Sequence, residues 1–119
     1  MQGGSVGVSG EGSAKAMGTL LIDKLLNTVC SLKATDLHLT VGSQPMLGLD
    51  GHRRPLASEV LEAADTVSLM QSITPERCQQ ELDACGVTDF GFAFGEAARF
   101  GVSVVKQQGN VELLIRRIP

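Results

Sequence analysis

A strand, a turn and a hairpin signal follow one another between residues 35 and 51, and no other segment constrains the fold as strongly. Polar and apolar residues alternate strictly over residues 36–41, a pattern typical of a strand with one buried face. Strands predicted for residues 45–49 and 52–56 flank Asp50-Gly51, a pair that tolerates the positive φ angles of a tight hairpin turn. The segment therefore predicts a half-buried strand followed by a hairpin.

The last third of the chain carries strand signals only. Three phenylalanines alternate with small or polar residues over residues 89–94, and turns separate two further strands, at residues 98–107 and 111–118. These three strands form an antiparallel meander. With the earlier strands and the helices between them, the sequence predicts an α+β fold in which helices pack on one side of an antiparallel sheet.

Apolar spacing and helix-end residues predict three helices. The first covers residues 19–33, with Thr19 as its cap. Its predicted apolar side consists of Leu21, Leu25, Leu26, Val29, Cys30 and Leu32. A second helix is predicted for residues 63–73. In the third, Thr74 is the predicted N-cap, ahead of a proline at the first helical position, and Gly86 is placed to end the helix.

The register of the last hairpin follows if Gln108-Gly109 is a two-residue turn. The numbers of opposed residues then sum to 217, so that Val104 faces Leu113 and Val102 faces Ile115. These pairs form one continuous apolar face, which supports the register.

Arg99 and Arg116 are the candidate binding residues on the other face of this hairpin. Arg116 lies opposite Gly101 and diagonal to Arg99, so the two backbones are roughly 5–8 Å apart. Like charges this close repel each other, and guanidinium forks suit phosphate oxygens. The pair therefore indicates a bound anion or an acidic partner surface. Solvation of both side chains, or salt bridges to Asp89, is the alternative.

Other candidate chemistry carries less weight. Asp36 and His38, two residues apart on the polar side of their strand, can form a hydrogen bond or act as acid and base, and we favour a structural role. Cys78, Leu82 and Cys85 follow one helical stripe, so we expect them in the core. No Cys or His spacing suits a metal ion. No Gly-x-x-x-x-Gly-Lys-Ser/Thr phosphate loop occurs, so this chain is not expected to hydrolyse nucleotide by itself.

Composition indicates a single domain with a short tail. A chain of 119 residues is typical of one domain. Residues 1–16 contain five glycines and three serines, so we expect a flexible tail over residues 1–18 and the folded domain over residues 19–119. Three cysteines without a signal peptide indicate a reducing, cytoplasmic compartment.

Charge is distributed unevenly along the chain. Residues 57–96 hold eight acidic residues and one basic residue, whereas residues 97–119 hold four basic residues and one acidic residue. This pattern indicates either a dipolar molecule with an anion-facing end or two ordinary solvated surfaces. The net charge of −3 argues against nucleic acid as a partner.

Several segments together resemble one known family. The run Thr35-Asp36-Leu37-His38-Leu39, the turn at Pro45-Met46 and the hairpin at Asp50-Gly51 occur in the order seen at the start of the N-terminal domain of the type IV pilus retraction ATPases. The strand beginning Ala98-Arg99-Phe100 and the ending Ile115-Arg116-Arg117-Ile118-Pro119 also match. Related secretion and pilus-assembly ATPases usually carry Asp-Ile-His-Ile-Glu instead, so the retraction family is the better fit. The resemblance extends from residue 20 to residue 119.

This resemblance implies a PAS-like domain of a hexameric, cytoplasmic motor for twitching motility. In such motors the domain packs against the RecA-like ATPase domain of the same and neighbouring subunits. By position, Arg99 and Arg116 would contact the phosphates of ATP bound in trans. Magnesium and catalysis would belong to a RecA-like domain that this chain lacks. Contact with the inner membrane would be peripheral, made indirectly through the platform of the pilus machinery.

The chain departs from the family pattern at Gly48 and Gly101, where the family commonly has arginine. A free-standing PAS-like sensor or interaction module, which binds a small ligand or a protein, is the alternative function.

Overall fold

The computed structural model describes residues 10–56, 59–96 and 98–118. Nine elements follow one another along these ranges. They are α1 (Gly10–Leu32), β1 (Asp36–Leu39), β2 (Met46–Leu49), β3 (His52–Pro55), α2 (Ala63–Ile73), α3 (Glu76–Cys85), β4 (Val87–Phe94), β5 (Ala98–Gln107) and β6 (Asn110–Ile118). The predicted α+β class is confirmed.

The six strands form one antiparallel sheet in the order β3-β2-β1-β6-β5-β4. Strand β6 pairs with β1, which joins the N-terminal strands to the C-terminal meander. In the last hairpin Val104 is opposite Leu113 and Val102 is opposite Ile115. The register predicted from the Gln108-Gly109 turn is therefore confirmed.

The sheet has an inner face, which is apolar and packs against the helices. Helix α1 packs on α2, α2 on β6, and α3 on β4 and β5. The inner face contributes nine side chains to the core, namely Leu37, Leu39, Leu47, Phe100, Val102, Val104, Val111, Leu113 and Ile115. The alternate residues of the same strands form the outer face, which carries no helix among the described elements.

Helices α2 and α3 confirm most of the helix predictions. Helix α2 has the predicted bounds, Ala63–Ile73, and Gly86 ends α3 with a left-handed φ of 84°. The predicted cap of α3 is wrong by one residue. Pro75 is the N-cap, and its carbonyl accepts hydrogen bonds from the backbone N–H groups of Cys78 and Gln79. The hydroxyl of Thr74 is buried and has no hydrogen-bond partner in the described part of the chain.

Helix α1 differs from the prediction at its start and on its buried side. It begins at Gly10 rather than at Thr19, so residues 10–18 of the expected tail are helical, whereas residues 1–9 lie outside the described ranges. Ile22, which was not in the predicted apolar stripe, is buried, and Leu32 is 50% exposed. No helix in the described ranges is long and apolar enough to cross a bilayer.

Candidate functional site

Rows of directly opposed residues cross the outer face of the sheet from edge to edge, and one of these rows contains an unusual set of residues. Antiparallel pairing aligns one residue from each strand. In spatial order these residues are Arg53, Gly48, Asp36, Arg116, Gly101 and Gly91. We call this set the central row. It combines two arginines, one carboxylate and three glycines. The charged side chains are therefore next to residues that have no side chain, which leaves open space around them.

Asp36, in the middle of the central row, is held by its neighbours in sequence. Thr35 Oγ1 donates a hydrogen bond to Oδ1 at 2.6 Å, and His38 Nε2 lies 2.5 Å from Oδ2. The Thr35 hydrogen bond, followed by the hydrogen bond and charge of His38 and the charge of Arg53, holds the pKa of the Asp36 carboxyl below its usual value, against the opposing effect of burial. At neutral pH the carboxylate is therefore ionised and can only accept hydrogen bonds. In the hydrogen bond between the two side chains, His38 Nε2 carries the proton and donates it.

Gly48 provides the space into which the Asp36 side chain folds. A Cβ atom at position 48 would lie 2.8 Å from Cγ of Asp36 and would overlap its Oδ1. Glycine at this position therefore accommodates the carboxylate in the conformation that it adopts here. Position 101 is different, because a Cβ there would meet only Cδ1 of Ile118 at an ordinary 3.8 Å.

Arg99 and Arg116 are both exposed on the outer face, at the positions that the register predicted. Arg116 is opposite Gly101, and Arg99 is opposite Ile118. They do not line the same depression. Arg116 lines a cleft of 320 Å³ beside Asp36, whereas Arg99 lines a separate cavity of 280 Å³ next to Ile118.

The alternative salt bridges to Asp89 do not form within the described residues. Asp89 accepts a hydrogen bond from Ser103 Oγ at 2.5 Å, and the described ion pairs are His38 with Asp36 and Lys106 with Asp83. Neither candidate arginine thus forms an ion pair with a described residue.

Sequence reasoning missed Arg53, which also lines the 320 Å³ cleft. The signal was present in the predicted hairpin. Asp50 and Gly51 have φ angles of 51° and 81°, as a two-residue turn of this kind requires. The turn sets Gly48 opposite Arg53, so extending the register by one more pair would have placed Arg53 on the outer face.

Arg117 points to the other side of the sheet and has a different role. Its Nε donates a hydrogen bond to the carbonyl of Ala34 at 2.9 Å, and its Nη2 donates to the carbonyl of Lys33 at 3.4 Å. Its side chain therefore ties the end of β6 to the segment that follows α1.

The cysteines are only partly in the core. Cys78 and Leu82 are buried, whereas Cys85 is exposed at the last residue of α3. Within the described ranges, no three His, Cys, Asp or Glu side chains are close enough together to hold a metal ion.

Comparison with known proteins identifies relatives with this fold. No protein-family model matches the chain. The chain is 31% identical over 98 residues to the type IV pilus retraction ATPase PilT of Pseudomonas aeruginosa, a match that covers 82% of this chain and 28% of the relative. A crystal structure of the pilus retraction motor PilT with bound ADP superposes with a TM-score of 0.77 at 31% identity, over 82% of this chain and 29% of that one.

The ATPase DotB of Legionella pneumophila shares the fold alone. Its structure superposes with a TM-score of 0.72 at 19% identity, over 85% of this chain and 30% of that one. This chain thus spans less than a third of the length of the relatives that it matches. Fold, order of motifs and sequence identity together show that the chain belongs to the family of N-terminal domains of the type IV pilus retraction ATPases, within the secretion ATPase superfamily.

Proposed function

We propose that this chain is the assembly and nucleotide-sensing domain of a hexameric pilus retraction ATPase. In this proposal Arg99 and Arg116 contact the phosphates of ATP bound to the RecA-like domain of a neighbouring subunit. The observation that carries the proposal is that both guanidinium groups are exposed on the outer face without an ion pair in the described part of the chain. The ADP bound in the PilT structure supports nucleotide as the ligand of the family.

The chemistry of these two residues suits the role. A guanidinium group presents a rigid fork of N–H donors that matches phosphate oxygens, and it stays charged at every physiological pH. When a second subunit supplies such a group, it stabilises the negative charge that develops on the transferred phosphoryl group. Magnesium, in this proposal, is held by the catalytic domain rather than by this chain. The assembled motor would work in the cytoplasm, at the inner-membrane platform of the pilus.

ATP hydrolysis by the full-length protein tests the assignment. Arg99→Ala and Arg116→Ala should each lower the turnover number by at least about tenfold, because arginines supplied in trans contribute about 10³–10⁵ in rate in other nucleotide hydrolases. Arg116→Lys should also be impaired, because an ammonium group lacks the planar fork. Arg54→Ala is the matched control, since Arg54 is exposed on the edge strand opposite Leu47, on the inner side of the sheet.

Normal turnover in both Arg99→Ala and Arg116→Ala would show that these arginines do not act on nucleotide. The gene provides a separate test. A Gly-x-x-x-x-Gly-Lys-Ser/Thr loop encoded beyond Pro119 would support the motor, whereas a stop codon directly after it would contradict the motor and favour a free-standing sensor.

A further inference from the structure

The 320 Å³ cleft on the outer face lies between two arginines that approach it from opposite sides. Arg53 belongs to β3 and Arg116 to β6, and both line the cleft together with Asp36, His38 and His52. Strands β2 and β1 separate them, so their backbones are three strand spacings apart, roughly 14 Å. An anion in the cleft would therefore be flanked by a guanidinium group on each side.

Asp36 does not neutralise these arginines by direct pairing. Its Oδ1 accepts the hydrogen bond of Thr35, and its Oδ2 accepts that of His38. Neither Arg53 nor Arg116 makes a side-chain hydrogen bond or an ion pair with another described residue. Two sets of guanidinium donors thus face one cleft, and the carboxylate between them accepts its hydrogen bonds from Thr35 and His38 rather than from either arginine.

We propose that this cleft is a binding site for a phosphoryl group, which Arg53 and Arg116 bridge from opposite sides. A tetrahedral phosphoryl group presents oxygens in several directions, so two forks can engage it at once, whereas one fork is enough to occupy both oxygens of a planar carboxylate. The site needs no second subunit, and it goes beyond the proposed function by adding Arg53 and by excluding any requirement for Arg99.

Asp36 has a defined effect on this site. Because the hydrogen bonds and charges around it hold its pKa low, it remains a negative charge below the bound anion. It therefore limits affinity for the phosphoryl group, while it reduces the repulsion between the two arginines in the unliganded cleft. Removing the charge should strengthen binding, which an exclusively structural role for Asp36 does not predict.

The experiment is a titration of the 119-residue chain with inorganic phosphate and with pyrophosphate at low ionic strength, followed by backbone amide chemical shifts. We expect saturable shifts at residues 35–38, 51–53 and 114–116. Arg53→Ala and Arg116→Ala should each raise the dissociation constant by about tenfold, as expected for the loss of a charge-assisted hydrogen bond. Asp36→Asn should lower the dissociation constant by about two- to fivefold.

Arg54→Ala is the matched control, because it removes the same charge from the next residue of β3, on the inner side of the sheet. It should change affinity by less than about twofold, since exposed charges farther from the ligand are screened. Equal weakening by Arg53→Ala and Arg54→Ala would show only nonspecific attraction, and unchanged binding in Arg53→Ala would show that the cleft is not the site. Either result overturns the proposal.

Two comparisons define the ligand and keep this proposal separate from the proposed function. If ADP binds as tightly as pyrophosphate, the cleft recognises the phosphoryl group alone; if ADP binds more tightly and the gain is lost in Arg53→Ala, nucleotide is the source of that group. Loss of phosphate binding in Arg53→Ala together with normal ATP turnover in Arg99→Ala would support the cleft and contradict the role proposed for Arg99. The opposite pair of results would contradict the cleft alone.

Discussion

Along each strand of the sheet, neighbouring residues lie on opposite faces, and the two faces differ in what determines their residues. On the inner face Leu37, Phe100 and Ile115 are almost completely buried. On the outer face the residues next to them in sequence, Asp36, Gly101 and Arg116, are polar or lack a side chain. The inner face is specified by hydrophobicity, which the sequence of each strand shows independently. On the outer face, the residues that lie next to one another can be identified only when the pairing of the strands is known.

This difference implies that substitutions on the two faces affect different properties. An inner-face substitution removes packing and should lower the free energy of unfolding. An outer-face substitution should leave stability nearly unchanged unless it disturbs a specific contact, and its effect should appear in binding. Neighbouring residues therefore form natural pairs for testing the comparison.

The largest effect on stability is expected for Phe100→Ala. Phe100 is fully buried and makes an edge-to-face contact with Phe94, with ring centroids 6.3 Å apart. Truncation of a buried phenylalanine costs about 3–5 kcal/mol, a large part of the about 5–15 kcal/mol that stabilises a typical domain. Urea denaturation measures the loss. Arg99→Ala, one residue away on the outer face, should change the free energy of unfolding by less than about 0.5 kcal/mol.

A decrease of more than about 2 kcal/mol in the free energy of unfolding of Arg99→Ala would contradict this difference between the faces, because it would show that outer-face residues also stabilise the fold.

A smaller but measurable effect is expected for Gly48→Ala, which tests the exception on the outer face. The new Cβ would collide with the Asp36 carboxylate, so Asp36 must leave its hydrogen bonds or β2 must shift, at about 1–3 kcal/mol. Gly101→Ala is the control, since its Cβ would meet Ile118 at ordinary contact distance. Thermal unfolding should show a lower midpoint for Gly48→Ala only. If Asp36→Ala does not relieve the loss in the double variant, the collision is not its cause.

The sequence predicts the inner face well because its signals are local. The bounds of α2 follow from apolar spacing, and the pairing of Val102 with Ile115 follows from the turn at Gln108-Gly109. The early start of α1 could not be predicted, because a segment rich in glycine and serine has low helix propensity, so no local signal marks Gly10.

The candidate site was only partly predictable for a different reason. Arg99 and Arg116 belong to one hairpin, so a local register places them on the outer face. The cleft also requires β1 to pair with both β2 and β6, and the second of these pairings joins segments far apart in sequence. The fit of the Asp36 side chain over Gly48 depends on the register between β1 and β2 and on the side-chain conformation of Asp36, and no periodicity reveals either.

The smallest effect is expected for Arg117→Ala, which compares two adjacent arginines on opposite faces. Arg117 donates hydrogen bonds to the carbonyls of Ala34 and Lys33, whereas Arg116 makes no side-chain hydrogen bond within the described residues. Loss of the Arg117 contacts should lower the free energy of unfolding by about 1 kcal/mol, and Arg116→Ala should lower it by less than about 0.5 kcal/mol. The midpoint of urea denaturation measures both. Equal losses in the two variants would show that the charge of Arg117, rather than its hydrogen bonds to the carbonyls of Ala34 and Lys33, determines its contribution to stability.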